Sequence, residues 1–280
     1  MTDRWENFLQ NLGEWQGSFT SISPSGEIVS DTPSTLLLEG LDNNKRARLT
    51  LHRFTPNPNN PEEPKVNELV REYQSFGKDM LFFENGAFSQ GTIQLAPYST
   101  SGAEFGFIDR NRRLRLLELF NSDRSLEKLT LIREKRAGTD AIESPPLTLD
   151  ALLGEWEGEA TTIYPDWRSP HKYPTKMQLQ IAEPGELTQQ MTWGKTNPQT
   201  IASTAKIDGS ILHFNSGSQP VKVILLPGGA SVTVPVQFEL RKPVFFEAGW
   251  LLEPGHRQRL IRSYNDKGEW ESLTLINERL

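Results

Sequence analysis

The sequence predicts an all-β protein made by tandem duplication of an antiparallel β-barrel, with a short helix before each barrel. Three observations lead to this prediction: one motif repeated near the start of each half, a second repeat near its end, and short strand-like segments between them. Repeats are considered first because a duplicated unit fixes the number of domains before any single residue is interpreted. The chain has 280 residues, which is enough for two domains of ordinary size.

The two repeats keep almost the same spacing. Leu12-Gly-Glu-Trp-Gln-Gly17 recurs as Leu153-Gly-Glu-Trp-Glu-Gly158, with five identities in six positions at an offset of 141 residues. Residues 113–134 match residues 257–278 at ten of 22 positions, at an offset of 144 residues. The small change in offset indicates that each half is one copy of the same unit.

These repeats predict the domain limits. We expect a first barrel over residues 1–137 and a second over residues 148–280. The segment 138–147 contains glycine, serine and two prolines and shows no apolar period, which is typical of a linker.

A short amphipathic helix is predicted at the start of each unit. In the first unit, apolar residues recur at helical spacing, at Trp5, Phe8, Leu9 and Leu12. Asp3 and Glu6 resemble a capping box, so we expect a helix over residues 3–12. The same apolar spacing precedes the second barrel, at Leu149, Leu152, Leu153 and Trp156.

The remainder of each unit is predicted to be strands. In the second half we expect ten, over residues 158–164, 175–182, 187–193, 200–207, 210–215, 220–226, 231–239, 244–252, 256–264 and 271–277. Ten short strands without intervening helices favour an antiparallel sandwich or barrel. The barrel is preferred because closure leaves no open edge. It also makes the first and last strands neighbours, so that one constraint would preserve both repeats.

Composition excludes several classes of function. The net charge is −6, from 30 basic and 36 acidic residues, which disfavours nucleic acid as a partner. There is no cysteine, so no disulfide or thiolate site is expected, and a reducing cytoplasm is the expected location. No apolar run reaches the roughly 18 to 20 residues of a membrane-spanning helix, and we recognise no signal peptide.

The sequence contains none of the common catalytic or phosphate-binding motifs. Its four histidines are widely separated, and no two have the spacing of metal ligands. We therefore predict a non-enzymatic protein without catalytic residues, metal or cofactor. His256 lies at the start of a predicted strand, where it is either a structural histidine or a haem ligand or general base.

Tryptophan and arginine supply the candidate ligand-binding residues. These are Trp15, Arg115, Trp156, Trp193, Trp250, His256, Arg259 and Arg262. The two motif tryptophans are expected to plug the closed ends of the barrels, or else to form the floor of a ligand site. An inward-facing Arg115 or Arg259 would hold a carboxylate or lie over the tryptophan, whereas solvated charge is the alternative. Arg262 lies on the other face of its strand. The other tryptophans line a cavity or belong to the core.

The opening of the second unit, residues 152–160, resembles the lipocalin-like (calycin) barrels of the nitrobindin and fatty-acid-binding types. More specifically, two copies in tandem, with Phe82-Phe-Glu-Asn-Gly-Ala-Phe-Ser-Gln-Gly91 in the first and residues 247–262 in the second, are similar to a cyanobacterial and plastid family. That family has two lipocalin-like barrels and long carried only an unknown-function label. The resemblance extends over nearly the whole chain.

Three functions are open, and only the first follows from the family resemblance. The plant member of the family is a biogenesis factor of the chloroplast ATP synthase that engages the β and γ subunits of the catalytic head, so the first expectation is an assembly factor with ATP synthase head subunits as partners. The second is a carrier of a small hydrophobic or anionic ligand, such as a fatty acid or a tetrapyrrole, in a barrel cavity. The third is an enzyme similar to the bilin lyases, which share only the fold class.

Overall fold

The computed structural model describes residues 4–60, 62–217 and 219–280. Strands dominate, and one α-helix, α1 (Arg4–Leu9), precedes them within these residues. No helix in this part of the chain is both long and apolar enough to cross a membrane.

The first half forms one antiparallel sheet of nine strands within the described residues. These are β1 (Gly13–Ile22), β2 (Ile28–Leu41), β3 (Arg46–Thr55), β4 (Lys65–Tyr73), β5 (Met80–Phe82), β6 (Phe88–Gly91), β7 (Ser101–Asp109), β8 (Arg112–Phe120) and β9 (Leu126–Arg136). Their order in the sheet is β4-β3-β2-β1-β9-β8-β7-β6-β5. The first and last strands are therefore neighbours in the middle of the sheet.

The second half forms a closed barrel of ten described strands. These are β10 (Gly154–Ile163), β11 (His171–Glu183), β12 (Glu186–Trp193), β13 (Gln199–Asp208), β14 (Ile211–Phe214), β15 (Val221–Leu225), β16 (Ala230–Pro235), β17 (Val244–Glu253), β18 (His256–Tyr264) and β19 (Trp270–Arg279). Each pairs with the next in sequence, and β19 pairs with β10. Each of the ten predicted strands corresponds to one of these, so the all-β, antiparallel and duplicated architecture is confirmed.

Closure differs between the halves. The first sheet is a half-barrel that is open between β4 and β5, where the prediction of a closed barrel needs correction. β5 has only three residues and cannot extend along the nine-residue β4. Aromatic rings occupy the gap instead: the ring of Phe76, from the connection, lies 4.8 Å from that of Phe8 on α1 and 5.1 Å from that of Phe82 on β5.

The helices are shorter than predicted. The first spans Arg4–Leu9, and Asp3 of the predicted capping box lies outside the described residues. Before the second barrel there is only one 3₁₀ turn, Asp150–Leu152. The chain upstream is held extended, because the backbone N–H of Leu147 donates to the carbonyl of Leu226 at 2.9 Å, which leaves few residues for a helix.

The largest hydrophobic core lies between the two sheets. Buried residues of β7, β8 and β9 pack against buried residues of β15 to β19. Phe120 of the first half stacks on Phe246 of the second, with ring centroids 4.5 Å apart. The linker is also fixed, since Arg112 donates to the hydroxyl of Ser144 at 2.8 Å. The domain limits, residues 1–137 and 148–280 with a linker over 138–147, stay a prediction.

The contact between the halves has approximate two-fold symmetry. The backbone N–H of Leu95 donates to the carbonyl of Gly268 at 2.8 Å, and that of Phe238 donates to the carbonyl of Arg124 at 3.2 Å. The two donors are 143 residues apart and the two acceptors 144, close to the offset of the repeat. Each copy thus donates a backbone hydrogen bond from one position and accepts one at another, and the other copy does the same from the equivalent positions. Reciprocal contacts of this kind are typical of an isologous dimer.

The trailing glycine of the repeated motif allows two strands to lie close together. Gly158 on β10 is directly opposite Glu278 on β19, and Gly17 on β1 is opposite Glu134 on β9. A methyl group on Gly158 would lie 2.8 Å from the Cα atom of Glu278 and closer still to the carbonyl oxygen of Asn277. The space beside each of these buried glutamates therefore depends on a glycine.

We predict that Gly158→Ala lowers the free energy of unfolding by about 1–3 kcal/mol, because the added methyl overlaps the backbone of β19. Urea unfolding at neutral pH measures the change. Gly217→Ala is the control: the nearest atom to its added methyl would be 3.6 Å away, so a change within about 0.5 kcal/mol is expected. Equal effects of the two substitutions would contradict the close-packing interpretation.

Candidate functional site

Each sheet contains a buried cluster of two arginines and two glutamates beside its motif tryptophan. The first quartet is Arg113, Arg115, Glu104 and Glu134, and the second quartet is Arg257, Arg259, Glu247 and Glu278. Corresponding members are 143 or 144 residues apart, so the clusters are copies of each other. Spacing by two along β8 and β18 places both arginines of each quartet on the inward face of the strand.

Glu278 is the centre of the second quartet. The Nε–H groups of Arg257 and Arg259 donate to its Oε1 atom at 2.7 and 2.8 Å. Arg259 also uses Nη1 to contact both carboxylate oxygens of Glu247 at 3.3 Å. Two positive and two negative charges are thus compensated within one buried cluster.

The first quartet repeats this geometry. The Nε–H of Arg113 donates to Oε2 of Glu134 at 2.7 Å, and Arg115 contacts the two oxygens of Glu134 at 3.2 and 3.1 Å. The Nη1 group of Arg115 reaches Glu104 at 3.0 Å. The same ion pairs therefore recur in both halves.

The motif tryptophans are fully buried beneath these arginines. Trp156 donates from Nε1 to the carbonyl of Leu152 at 2.8 Å, and the guanidinium carbon of Arg257 lies 4.7 Å from its ring centroid. Trp15 donates to the carbonyl of Asn11 at 3.0 Å, and Arg113 covers it at 4.5 Å. The indoles thus support the arginines through cation–π contacts.

The arginines keep the central glutamates ionised. Burial by itself raises the pKa of Glu134, but the charges of Arg113 and Arg115 outweigh it and bring the pKa to about 2. The same balance lowers the pKa of Glu278. Carboxylates held in this way are poor proton donors and acceptors near neutral pH.

The second barrel contains a cavity of about 550 Å³ that is partly open to solvent. Leu152, Met177, Arg257 and Arg259 line the inner end, beside the tryptophan plug, and Phe245 lies towards the other end. This volume is within the usual range for sites that hold a small organic molecule.

The interior of the first sheet is filled by aromatic side chains instead. The rings of Phe82 and Phe88 lie 5.2 Å apart there and belong to one cluster of buried residues with Phe8, Trp15 and Leu51. Of the two interiors, the hollow one is thus in the second half.

The structure does not bring the eight predicted site residues together in one site. Trp156 and Arg259 meet at the inner end of the second barrel, and Trp15 and Arg115 occupy the equivalent place in the first sheet. Trp193 is on the same face of β12 as Met191, which lines the cavity.

The remaining three predicted residues lie away from the cavity. Trp250 is buried in the core between the sheets, with Nε1 donating to the carbonyl of Gly228 at 3.0 Å. His256 points to the opposite face of β18 from Arg257, and its Nε2 atom lies 2.8 Å from Oδ1 of Asn277. No group of three or more possible metal-binding side chains occurs among the described residues.

Arg262 is fully buried in the contact between the halves. Its guanidinium carbon is 3.4 Å from the ring centroid of Trp270, and its Nε–H donates to the hydroxyl of Tyr264 at 2.7 Å. Its Nη2 group donates to the carbonyl of Thr92, in the first half, at 3.0 Å. This arginine therefore joins the two units.

The position equivalent to Arg262 in the first half is Glu118, 144 residues earlier. Glu118 is fully buried, and neither carboxylate oxygen has a hydrogen-bond partner among the described residues. Burial raises the pKa of Glu118 well above its usual range, and the nearby charge of Glu247 raises it further. Its burial therefore favours the protonated form of the carboxyl group.

Sequence reasoning missed the glutamates of both quartets and Glu118. The sequence did contain a signal for Glu134 and Glu278: they are the identical last residues of the two matching segments, 113–134 and 257–278. Glu104 and Glu247 occur outside the repeats, and only the register of β7 and β17 brings them to Arg115 and Arg259.

The fold defines an all-β protein of two fused, related units: a half-barrel filled by aromatic side chains and a closed barrel that contains a cavity. The chain belongs to the DUF3598 family, which confirms the resemblance seen in the sequence. Residues 1–139 match the N-terminal domain of unknown function DUF3598, and residues 143–280 match the C-terminal domain of biogenesis factor required for ATP synthase 1.

Solved structures include a relative that matches this chain over its full length. A DUF3598 protein of unknown function from Nostoc punctiforme is 50% identical, with a TM-score of 0.91, over 100% of this chain and 99% of that one. An S-type phycobiliprotein lyase from Guillardia theta is 12% identical, with a TM-score of 0.38, over 46% of this chain and 88% of that one. No protein with a curated description matches the chain.

We predict that Arg259→Met lowers the free energy of unfolding by about 3–5 kcal/mol, because Glu247 would lose its buried ionic partner. Chemical unfolding at pH 7 measures this change. Arg168→Met is the control, since the Arg168–Asp166 pair is exposed, and it should leave the unfolding midpoint almost unchanged. A similarly small effect of Arg259→Met would contradict a structural role for the second quartet.

We also predict that Glu118→Gln stabilises the protein more at pH 8 than at pH 5. The raised pKa of Glu118 means that the wild-type protein loses stability as pH rises from the unfolded-state pKa through the folded-state pKa. Glutamine removes this titration. Glu134 and Glu278, with lowered pKa values, instead lose their stabilising effect only as pH falls below the ordinary glutamate range, outside this window.

Urea unfolding of the wild-type and Glu118→Gln proteins at both pH values is the measurement. A difference in unfolding free energy that does not change with pH would show that Glu118 does not titrate between them.

Proposed function

We propose that this protein is a non-enzymatic binding protein that assists assembly of the catalytic head of ATP synthase. The observation that carries the proposal is the match of its second half to the C-terminal domain of a biogenesis factor required for ATP synthase. The ion pairing of both quartets supports a non-enzymatic role, because their central carboxylates are held ionised and bonded. The TM-score of the phycobiliprotein lyase is too low to support the bilin-lyase alternative. Because the chain has no cysteine and needs no oxidising compartment, a cytoplasmic location is part of the proposal.

The open edge of the first half supports a protein partner. β4 has β3 as its neighbour on one side and no described strand on the other, so one row of backbone N–H and C=O groups is available. Val66 and Val70 lie on the outer face of this strand with about half of their surface exposed. Edges of this kind can pair with an extended segment of another protein.

A second candidate function is favoured by the cavity in the second barrel. A cavity of about 550 Å³, lined by both apolar and polar side chains, supports a carrier of a small hydrophobic or anionic molecule. The two functions are compatible, because the open edge and the cavity belong to different halves. Native mass spectrometry of protein purified from a cyanobacterium tests the carrier function by the presence of a bound molecule.

We predict that the tagged protein captures purified ATP synthase β and γ subunits at physiological salt, and that Val66→Lys with Val70→Lys weakens capture at least about tenfold, since lysines on an edge strand oppose pairing. Ile181→Lys, an exposed apolar residue on β11, is the matched control and should capture normally. Failure of the unaltered protein to retain either subunit would refute the assembly role. Equal capture by all three proteins would leave that role standing and exclude the β4 edge as the contact.

A further inference from the structure

The charge balance of the second-barrel cavity limits which molecules it can hold. Arg257 and Arg259 line the inner end, and free guanidinium groups there would attract a carboxylate, phosphate or sulfonate. Both groups are already bonded to Glu278, with N–O distances of 2.7 and 2.8 Å. Arg259 is also paired with Glu247, which itself lines the cavity.

An anion entering this end would be poorly compensated. The second quartet has zero net charge, so an added negative charge meets no excess of positive charge. It would also lie near the carboxylate of Glu247, which the hydroxyl of Thr233 approaches at 3.4 Å. Since removing an anion from water is unfavourable without a partner, the inner end discriminates against anions.

The other walls suit an uncharged molecule. Apolar side chains such as Met191, Phe214 and Val223 line the middle of the cavity. Ser231 and Thr233 on β16 lie beside the quartet, because their strand pairs with the part of β17 that carries Glu247. These hydroxyl groups can donate or accept hydrogen bonds without adding charge.

We propose that the second barrel binds an uncharged, largely apolar molecule whose inner end carries a hydrogen-bonding group such as a hydroxyl, carbonyl or amide. This inference rests on the carrier function proposed above and names its class of ligand. It also gives the second quartet a role in selecting ligands by charge, in addition to its role in packing.

Two fluorescent probes test this proposal directly. N-phenyl-1-naphthylamine is uncharged, and 1-anilinonaphthalene-8-sulfonate has the same skeleton with one added sulfonate. The unaltered protein should bind the uncharged probe at least about tenfold more tightly in fluorescence titrations. Ser203→Trp, which places an indole on the cavity wall, should abolish the cavity signal and so identifies any probe bound elsewhere.

A substitution in the second quartet tests whether its charge balance causes the discrimination against anions. Glu247→Gln gives the cluster a net charge of +1, so the affinity for the sulfonate probe relative to that for the uncharged probe should rise at least about tenfold. Retained binding of the uncharged probe also shows that the variant is folded. Glu104→Gln makes the equivalent change beside the filled interior of the first half and should alter neither affinity.

The outcomes separate the two proposals. Sulfonate binding that equals or exceeds that of the uncharged probe, and that Ser203→Trp abolishes, would overturn the uncharged-ligand inference while the carrier function stands. If neither probe binds to the cavity, the carrier function fails and the inference fails with it.

Discussion

The buried ion pairs between arginine and glutamate are the constraint on which both halves depend. Two charges removed from water are stable only if each remains paired and closely packed. In the second half Glu278 meets this requirement through Arg257 and Arg259, and it fits beside β10 because Gly158 has no side chain. Trp156 then supports Arg257 from below. The glycine and the tryptophan belong to the first repeated motif, and the arginines and the glutamate belong to the second. Because these residues contact each other, one packing constraint preserves both motifs.

Patterns within one strand were enough to predict most of the fold. Turn residues and β-rich segments located all ten strands of the second barrel, and the repeats predicted the duplication. What the sequence did not reveal depends on lengths and on neighbours in space. The first sheet does not close because β5 is short. The apolar residues of this segment do not indicate where the strand ends. The arginines were identified as candidates, but their glutamate partners required the register of the sheets. Arg262 was predicted as a ligand contact and instead joins the two halves.

The two copies of the duplicated unit have different interiors. In the first half, aromatic rings fill the space and compensate for an incomplete sheet, with Phe76 packed between the helix and β5. In the second half, full closure of the barrel supports the walls by backbone hydrogen bonds, so the centre does not need to be filled. Both retain the quartet and the tryptophan beneath it, which indicates that this cluster serves stability in each half. The cavity that is specific to the second half therefore depends on the residues around the cluster.

The two-fold relation between the halves has a consequence for assembly. Hydrogen bonds run reciprocally, from Leu95 to Gly268 and from Phe238 to Arg124, so each copy's contact face is covered by the other. A self-complementary face of this kind is saturated once two copies have met. In this chain both copies are covalently linked, and the saturation occurs within a single molecule. The two halves of one polypeptide thus make the contact that two subunits make in a symmetric dimer. Association with any other molecule has to use surfaces outside this contact.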